Sequence, residues 1–197
     1  MKFLVVGSTG LIGSYVAKTL SKHGTVIGVS RTTQISVDVK DPASIKAMYE
    51  KVGKVDAVAS CIGKVVYKQI TEITYEDYLN SFKDKALGQV ELVRAGINYL
   101  NDGGSFTLMT GVLARDPIPS GSVAALANGA IESFTLAAAI DLPRGLRINT
   151  VSPNVLIEAT SYHPSFPGYH QVSAQSVADA YVKSILGKQT GQIYKLD

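Results

Sequence analysis

Near the start of the chain, Gly7-Ser8-Thr9-Gly10-Leu11-Ile12-Gly13 joins an apolar run, Lys2 to Val6, to a segment with helical periodicity. A glycine trio is informative in that setting. A helix N-terminus presents unpaired N–H groups and the positive end of the helix dipole, which together bind anions. Gly7 allows the tight turn, Gly10 lets the backbone approach a pyrophosphate, and Gly13 allows helix and strand to pack closely. The chemistry implied is dinucleotide binding by the whole turn, Ser8, Thr9, Leu11 and Ile12 included. The bland alternative is turn geometry alone.

A second position selects between dinucleotides. An acidic residue after the second strand hydrogen-bonds a ribose 2′-hydroxyl, whereas a guanidinium there pairs with a 2′-phosphate. This chain has Ser30-Arg31-Thr32-Thr33 and no acid at that point. Arg31 is therefore the candidate phosphate ligand, with Ser30, Thr32 and Thr33 as hydroxyl helpers, and NADP(H) is preferred over NAD(H). The competing reading is an ordinary exposed arginine in a polar turn.

These residues need elements to hold them. Thr25–Ser30, Ile35–Val39, Val55–Ser60, Ser105–Thr110, Leu146–Val151 and Gln192–Leu196 read as further strands, seven with the first. Helical patterns cover Leu11–His23, a segment from Asp41-Pro42 to about Val52, Tyr75–Leu100, Ser122–Leu142 and Ser173–Leu186. Asn101-Asp102-Gly103-Gly104 reads as a turn, and Glu158–Gln171 as a loop. Alternating strands and helices predict an α/β fold: one doubly wound Rossmann-type domain over residues 1–197, a parallel sheet of about seven strands with helices on both faces.

Composition narrows the function classes. In 197 residues, 46% are hydrophobic and 18% charged, a globular balance. The formal charge of +3 comes without a basic run, so neither nucleic acid nor a membrane surface is the expected partner. The N-terminal apolar stretch is too short and glycine-broken for a signal peptide or a spanning helix, so a cytoplasmic location is expected. A single cysteine, Cys61, excludes an internal disulfide. Cys61 reads as a packed side chain rather than a nucleophile. Three scattered histidines give no metal-ligand spacing, and the glycine turn lacks the lysine of a P-loop.

Taken in order, these segments resemble the short-chain dehydrogenase/reductase family over nearly the whole chain. Asp38-Val39 looks like the family's adenine-contacting pair. Ser60-Cys61-Ile62-Gly63 stands where the family has Asn-Asn-Ala-Gly. Gly103-Gly104-Ser105-Phe106 opens a strand as in the family, Arg147 to Asn154 resembles its sixth strand and the turn that follows, and Thr190-Gly191-Gln192 its last turn. The resemblance adds Asp38, Val39, Cys61, Ile62, Gly63, Pro153, Asn154 and Val155 to the expected cofactor contacts. The glycine spacing is that of extended or atypical members.

The family works through Asn, Ser, Tyr and Lys. Here the matching positions carry Lys85, Gly111, Ala124 and Asn128, and Ser120 to Ala139 contains neither tyrosine nor lysine. A positioned acid–base group is worth roughly 10²–10⁴ in rate, so the usual chemistry is not expected from these positions. Lys85 would point toward the nicotinamide end, or else be a surface lysine balancing Asp84 or Glu91. Tyr67, Tyr162, His163, Tyr169 and His170 are loop residues that could overhang the same cleft, with packing or solvation as the alternative. The short stretch after Pro153 leaves little room for a deep lid.

Three readings follow. One is an NADP(H)-dependent oxidoreductase of a small carbonyl or alcohol. Another is a non-catalytic NADP(H)-binding redox sensor. The third is a structural subunit, against which the retained glycine turn argues. The two long helices, 75–100 and 122–142, resemble those through which family members associate, and predict a homodimer or homotetramer. The small residues of the second would allow close helix packing.

Overall fold

The computed structural model describes all residues, Met1–Asp197. Its centre is one six-stranded, all-parallel sheet in the order β2-β1-β3-β4-β5-β6. The strands are β1 (Lys2–Val6), β2 (Thr25–Val29), β3 (Val55–Ser60), β4 (Leu100–Met109), β5 (Arg147–Pro153) and β6 (Gln192–Leu196). The helices are α1 (Leu11–Leu20), α2 (Pro42–Val52), α3 (Tyr75–Phe82), α4 (Gly88–Gly96), α5 (Ser122–Asp141) and α6 (Ala174–Leu186).

Side chains alternate across each strand, so a parallel sheet needs apolar residues on both faces. In β1, Leu4 and Val6 enter a core with Ile45, Met48 and Tyr49 of α2, Leu92 of α4 and Ile131 of α5. Phe3 and Val5 enter the opposite core with Val16 and Leu20 of α1 and Tyr181 and Ile185 of α6. The doubly wound arrangement follows from this two-sided burial.

The seventh expected strand, Ile35–Val39, does not form. Only an isolated bridge, Ser30 to Ser36, and the hydrogen bond from Val37 N to the Ser30 carbonyl remain. A parallel neighbour requires a crossover of a dozen or more residues, and only a few separate Val29 from Ile35. The segment instead runs under the sheet edge toward Asp41, whose carboxylate caps α2 by accepting from Ala43 N.

The expected long helix 75–100 is also divided. A π-turn spans Lys83–Leu87 between α3 and α4, and a 3₁₀ turn, Ile97–Tyr99, ends the run before Leu100 enters β4. The predicted turn 101–104 lies within the irregular start of β4, where the register shifts against β3 and Gly103 has φ +72°. Gly96 is needed here, because a Cβ would lie 2.5 Å from the Tyr49 hydroxyl. That hydroxyl donates to the Leu92 carbonyl at 2.7 Å.

By length and hydropathy, Ser122–Asp141 could cross a membrane. It packs on the sheet through Val123, Ala127, Ile131 and Thr135, and Thr135 pairs with Thr150 of β5 across 2.6 Å. Its outer face exposes Leu126, Leu136 and Ile140.

Candidate active site

In an open α/β sheet, ligands bind beyond the C-terminal strand ends where the winding reverses. Here that point lies between β1 and β3, where Cys61 N donates to the Val6 carbonyl at 2.8 Å. A cleft of about 620 Å³ opens there, within the range of cofactor sites.

Each glycine of the turn has its own reason. Gly7 sits at φ +85°, and a Cβ on it would come within 2.6 Å of the Cys61 carbonyl. A Cβ on Gly13 would lie 2.0 Å from the Gly7 carbonyl oxygen. Gly10 is different: its φ is −77°, and its Cβ would meet only the Gly7 carbonyl at 3.3 Å. It caps α1 with no side-chain acceptor, and no acidic residue follows in the first turn. The N–H groups there are thus left for an external anion.

Gly7, Thr9, Gly10 and Ile12 line the cleft, while Ser8, Leu11 and Gly13 do not. Ser8 turns back, its Oγ donating weakly to the Val29 carbonyl at 3.4 Å. Leu11 is exposed on α1, and Gly13 packs against the backbone of Gly7 and Ser8. At one end, Ser30, Arg31, Thr32, Asp38, Val39 and Lys40 form the wall. Arg31 is exposed and joins none of the ion pairs. Thr32 N donates to Ser30 Oγ at 3.2 Å, which shapes the turn. Thr33, expected as a helper, is engaged within the loop: it accepts from Ser30 N at 2.7 Å and donates to the Ile35 carbonyl at 2.8 Å. Asp38 also shapes its own turn, accepting from Lys40 N at 3.0 Å.

The middle of the cleft is floored by Cys61, Ile62 and Gly63, and by Pro153, Asn154 and Val155 across the sheet. Burial pushes the Cys61 thiol up to about 12, which removes it as a nucleophile. At the far end stand all four residues of the altered positions, Lys85, Gly111, Ala124 and Asn128, beside Thr110. Thr110 Oγ1 donates to Glu132 Oε1 at 3.0 Å, and Ser152 Oγ donates to the same oxygen at 3.0 Å. Arg115 Nη1 in turn donates to Ser152 Oγ at 2.8 Å and pairs with Asp197, so the ends of β4 and β5 are tied together.

Lys85 is not the surface lysine that the sequence allowed. It lies in the π-turn, only 8% exposed, with its side chain across Gly63. A Cβ on Gly63 would meet Lys85 Cγ at 2.6 Å and Nζ at 3.1 Å. Burial lowers its amine to about 8, partly offset by the neighbouring Asp84 carboxylate. Asn128 is 3% exposed, and its Nδ2 reaches the Gly111 carbonyl at only 3.4 Å. Its Oδ1 has no partner at all, an uncommon state for a buried acceptor and one that a ligand hydroxyl would relieve.

Gln89 holds this geometry. Fully buried, it donates through Nε2 to the carbonyls of Lys85 (2.9 Å) and Met109 (2.8 Å), and its Oε1 accepts from Met109 N at 2.8 Å. The π-turn is thereby bolted to the end of β4. Gln89→Met leaves three buried backbone groups without these bonds. The expected loss is about 2 kcal/mol, roughly 4–8 °C in melting temperature by thermal unfolding.

Of the loop residues, Tyr67 and Tyr162 reach the cleft as a tilted pair, ring centroids 6.1 Å apart. The others do not. His163 is hydrogen-bonded to the Leu156 carbonyl at 2.9 Å, and Tyr169 donates to the Asp116 carbonyl at 3.1 Å. His170 borders a separate depression with Asp197. The sequence reading missed the apolar wall made by Val65, Val112, Leu113, Leu156, Ala159 and Phe166. Three of these follow Pro153, so that stretch supplies part of the wall. Ordinary apolar residues in irregular segments carry no periodic signal that would have found them.

The residues fit a nicotinamide dinucleotide: an anion-ready helix end, an unpaired guanidinium after β2, and an orphaned acceptor at the opposite end. A family model described as Enoyl-(Acyl carrier protein) reductase matches residues 10–191. The crystal structure of the protein lin1944 from Listeria innocua is 47% identical, with a TM-score of 0.98 over 100% of both chains. A small-chain dehydrogenase in complex with NADPH is 27% identical, with a TM-score of 0.89 over 100% of this chain and 96% of that one. A hydroxynaphthalene reductase-like protein of Metarhizium brunneum is 27% identical over 176 residues, 76% of this chain and 66% of that protein. The chain thus spans slightly under two thirds of that relative's length.

Proposed function

The chain belongs to the short-chain dehydrogenase/reductase family, and we propose that it is an NADP(H)-dependent oxidoreductase of a small carbonyl or alcohol with an apolar or aromatic body. The observation that carries this reading is a single cleft running from Arg31, past the glycine turn, to Lys85 and Asn128. Arg31 and Thr32 receive the 2′-phosphate, and the N-terminus of α1 at Gly10 receives the pyrophosphate. Asp38 and Val39 flank the adenine, and the segment 61–63 with 153–155 encloses the remainder. The apolar wall, with Tyr67 and Tyr162, bounds the substrate end. A fluorescence titration with NADPH, NADH, NADP and NAD tests the reading. Arg31→Ala is expected to weaken NADPH by about 10- to 100-fold, the worth of a charged hydrogen-bonded contact, and to leave NADH nearly unchanged. Absence of binding by all four dinucleotides would remove the reading.

A second reading, a non-catalytic NADP(H)-binding redox sensor, is favoured by the absence of tyrosine and lysine from 120–139 and by Gly111 and Ala124 in the cleft. NADPH binding without carbonyl reduction would select it. We further propose a cytoplasmic homodimer or homotetramer joined through the segments 75–100 and 122–142. Exposed Leu87, Leu126, Leu136 and Ile140 support that face. Sedimentation that detects only monomer at micromolar concentration would exclude the assembly.

A further inference from the structure

We propose that Lys85 is the catalytic proton donor of this site and that Asn128 Oδ1 accepts a hydrogen bond from a hydroxyl of the nicotinamide ribose. This inference rests on the oxidoreductase reading above and assigns its reacting residues.

Geometry carries it. The π-turn adds a residue to the helix and sets Lys85 and Ala86 both inward. π-Turns recur where a helix must aim a functional group. Gly63, at φ +134°, leaves the space along which the lysine side chain lies. Lys85 lines the cleft, and its Nζ takes part in no ion pair. A buried ammonium normally has a carboxylate in contact with it, and here Asp84 acts only from beyond ion-pair distance. In the same cleft, the Asn128 acceptor is buried and unpartnered. The amine and the amide occupy each other's usual positions, so the pair is exchanged rather than lost.

The amine at about 8 is protonated at neutral pH yet able to release its proton. A reduced nicotinamide dinucleotide supplies the hydride. The carbonyl carbon accepts that hydride with its electron pair, and the C=O π pair moves to oxygen. The oxygen takes a proton from the Lys85 ammonium, whose N–H pair stays on nitrogen. The alcohol leaves, and the neutral amine regains a proton from water at the cleft mouth. The other ionisable groups around it are Asp84 on the same turn, Cys61, Lys64 and Tyr67 on the segment after β3, and Tyr162 on the 3₁₀ turn 160–165. Glu132 on α5 is turned toward Thr110 and Ser152.

The test compares wild type with Lys85→Met and Lys85→Arg. Binding of NADPH and NADP is first titrated from pH 6.5 to 9.5. An ammonium beside the ring repels the cationic oxidised nicotinamide. The wild type should therefore gain roughly tenfold in NADP affinity relative to NADPH as the pH rises, and Lys85→Met should gain nothing. A gain shared by both proteins, or absent from both, overturns the placement of Lys85. Failure of the wild type to bind either form overturns the cofactor reading itself. Turnover of benzaldehyde, acetophenone and tetralone is then followed at saturating NADPH. The wild type should lose rate above pH about 8, and both variants should fall by roughly 10²–10⁴, since an arginine keeps the charge but yields no proton. Wild-type rates in a variant that binds NADPH overturn the donor role and leave the reductase reading standing. NADPH binding with no turnover of any of the three overturns both and leaves the sensor.

Discussion

Gly13→Ala is expected to lower stability by about 3 kcal/mol or more and to abolish dinucleotide binding with it. The added Cβ would stand 2.0 Å from the Gly7 carbonyl oxygen and 2.7 Å from its carbon. Both are backbone atoms at the root of the turn, so no side chain can swing aside. The helix must move by about an ångström, which sits at or above the usual 1–3 kcal/mol of an overpacked core. For a domain of this size the melting temperature should fall by roughly 6–12 °C. Moving α1 also misaligns its free N–H groups, so NADPH should bind at least tenfold more weakly. Gly10→Ala provides the contrast. Its backbone is already at φ −77°, and its nearest contact would be 3.3 Å. Stability should change by less than about 1 kcal/mol, while a methyl in the path of the pyrophosphate weakens NADPH by at least tenfold. Thermal unfolding and NADPH fluorescence on the two variants separate the effects. A stable Gly13→Ala protein would refute the packing argument. Unchanged NADPH affinity in Gly10→Ala would refute the placement of the pyrophosphate.

The same contrast explains what could be seen in the sequence. The glycine turn was legible because its context, an apolar strand before and an amphipathic helix after, leaves few alternatives. Both sheet faces were legible because β1 and β3 are apolar at nearly every position. Ile35–Val39 misled because its composition is that of a strand, and composition does not register that the connection from β2 is too short for a crossover. The division of 75–100 was hidden because a π-turn arises from tertiary contacts, the Gln89 bridge to Met109 above all, and Lys-Asp-Lys-Ala-Leu has no local signature for it. Alignment with the family put Lys85 toward the nicotinamide end, and in the structure it lines the cleft. Its burial was not legible, since a lysine directly after Lys83 and Asp84 reads as solvent-facing. Tyr67 and Tyr162 could not be told from Tyr169 by sequence, because their difference lies in where irregular loops fold back.

Replacing Lys85 should make the protein more stable near neutral pH, while its activity is lost. The sign follows from linkage. In the folded chain the amine titrates at about 8, against 10.5 for an unburied lysine. Below pH 8 both states are protonated, and the folded state carries the whole cost of a buried, unpaired charge. Between about pH 8 and 10.5 the unfolded chain binds the extra proton, so stability rises with pH across that window and levels off above it. A displacement of this size corresponds to about 3 kcal/mol. Lys85→Met keeps the length of the side chain and removes the charge. It should therefore be more stable than wild type by up to about 3 kcal/mol at pH 7, or roughly 6–12 °C in melting temperature. The advantage should shrink toward nothing by about pH 10.5. Denaturant unfolding of both proteins from pH 6.5 to 10.5 measures the difference directly. A difference that does not vary with pH would mean that Lys85 is solvated and that its burial costs nothing. A variant less stable than wild type at pH 7 would assign the side chain a structural role. A gain that fades as the amine loses its proton would mark a group held in the cleft at the expense of the fold, as expected when chemistry rather than packing sets the residue.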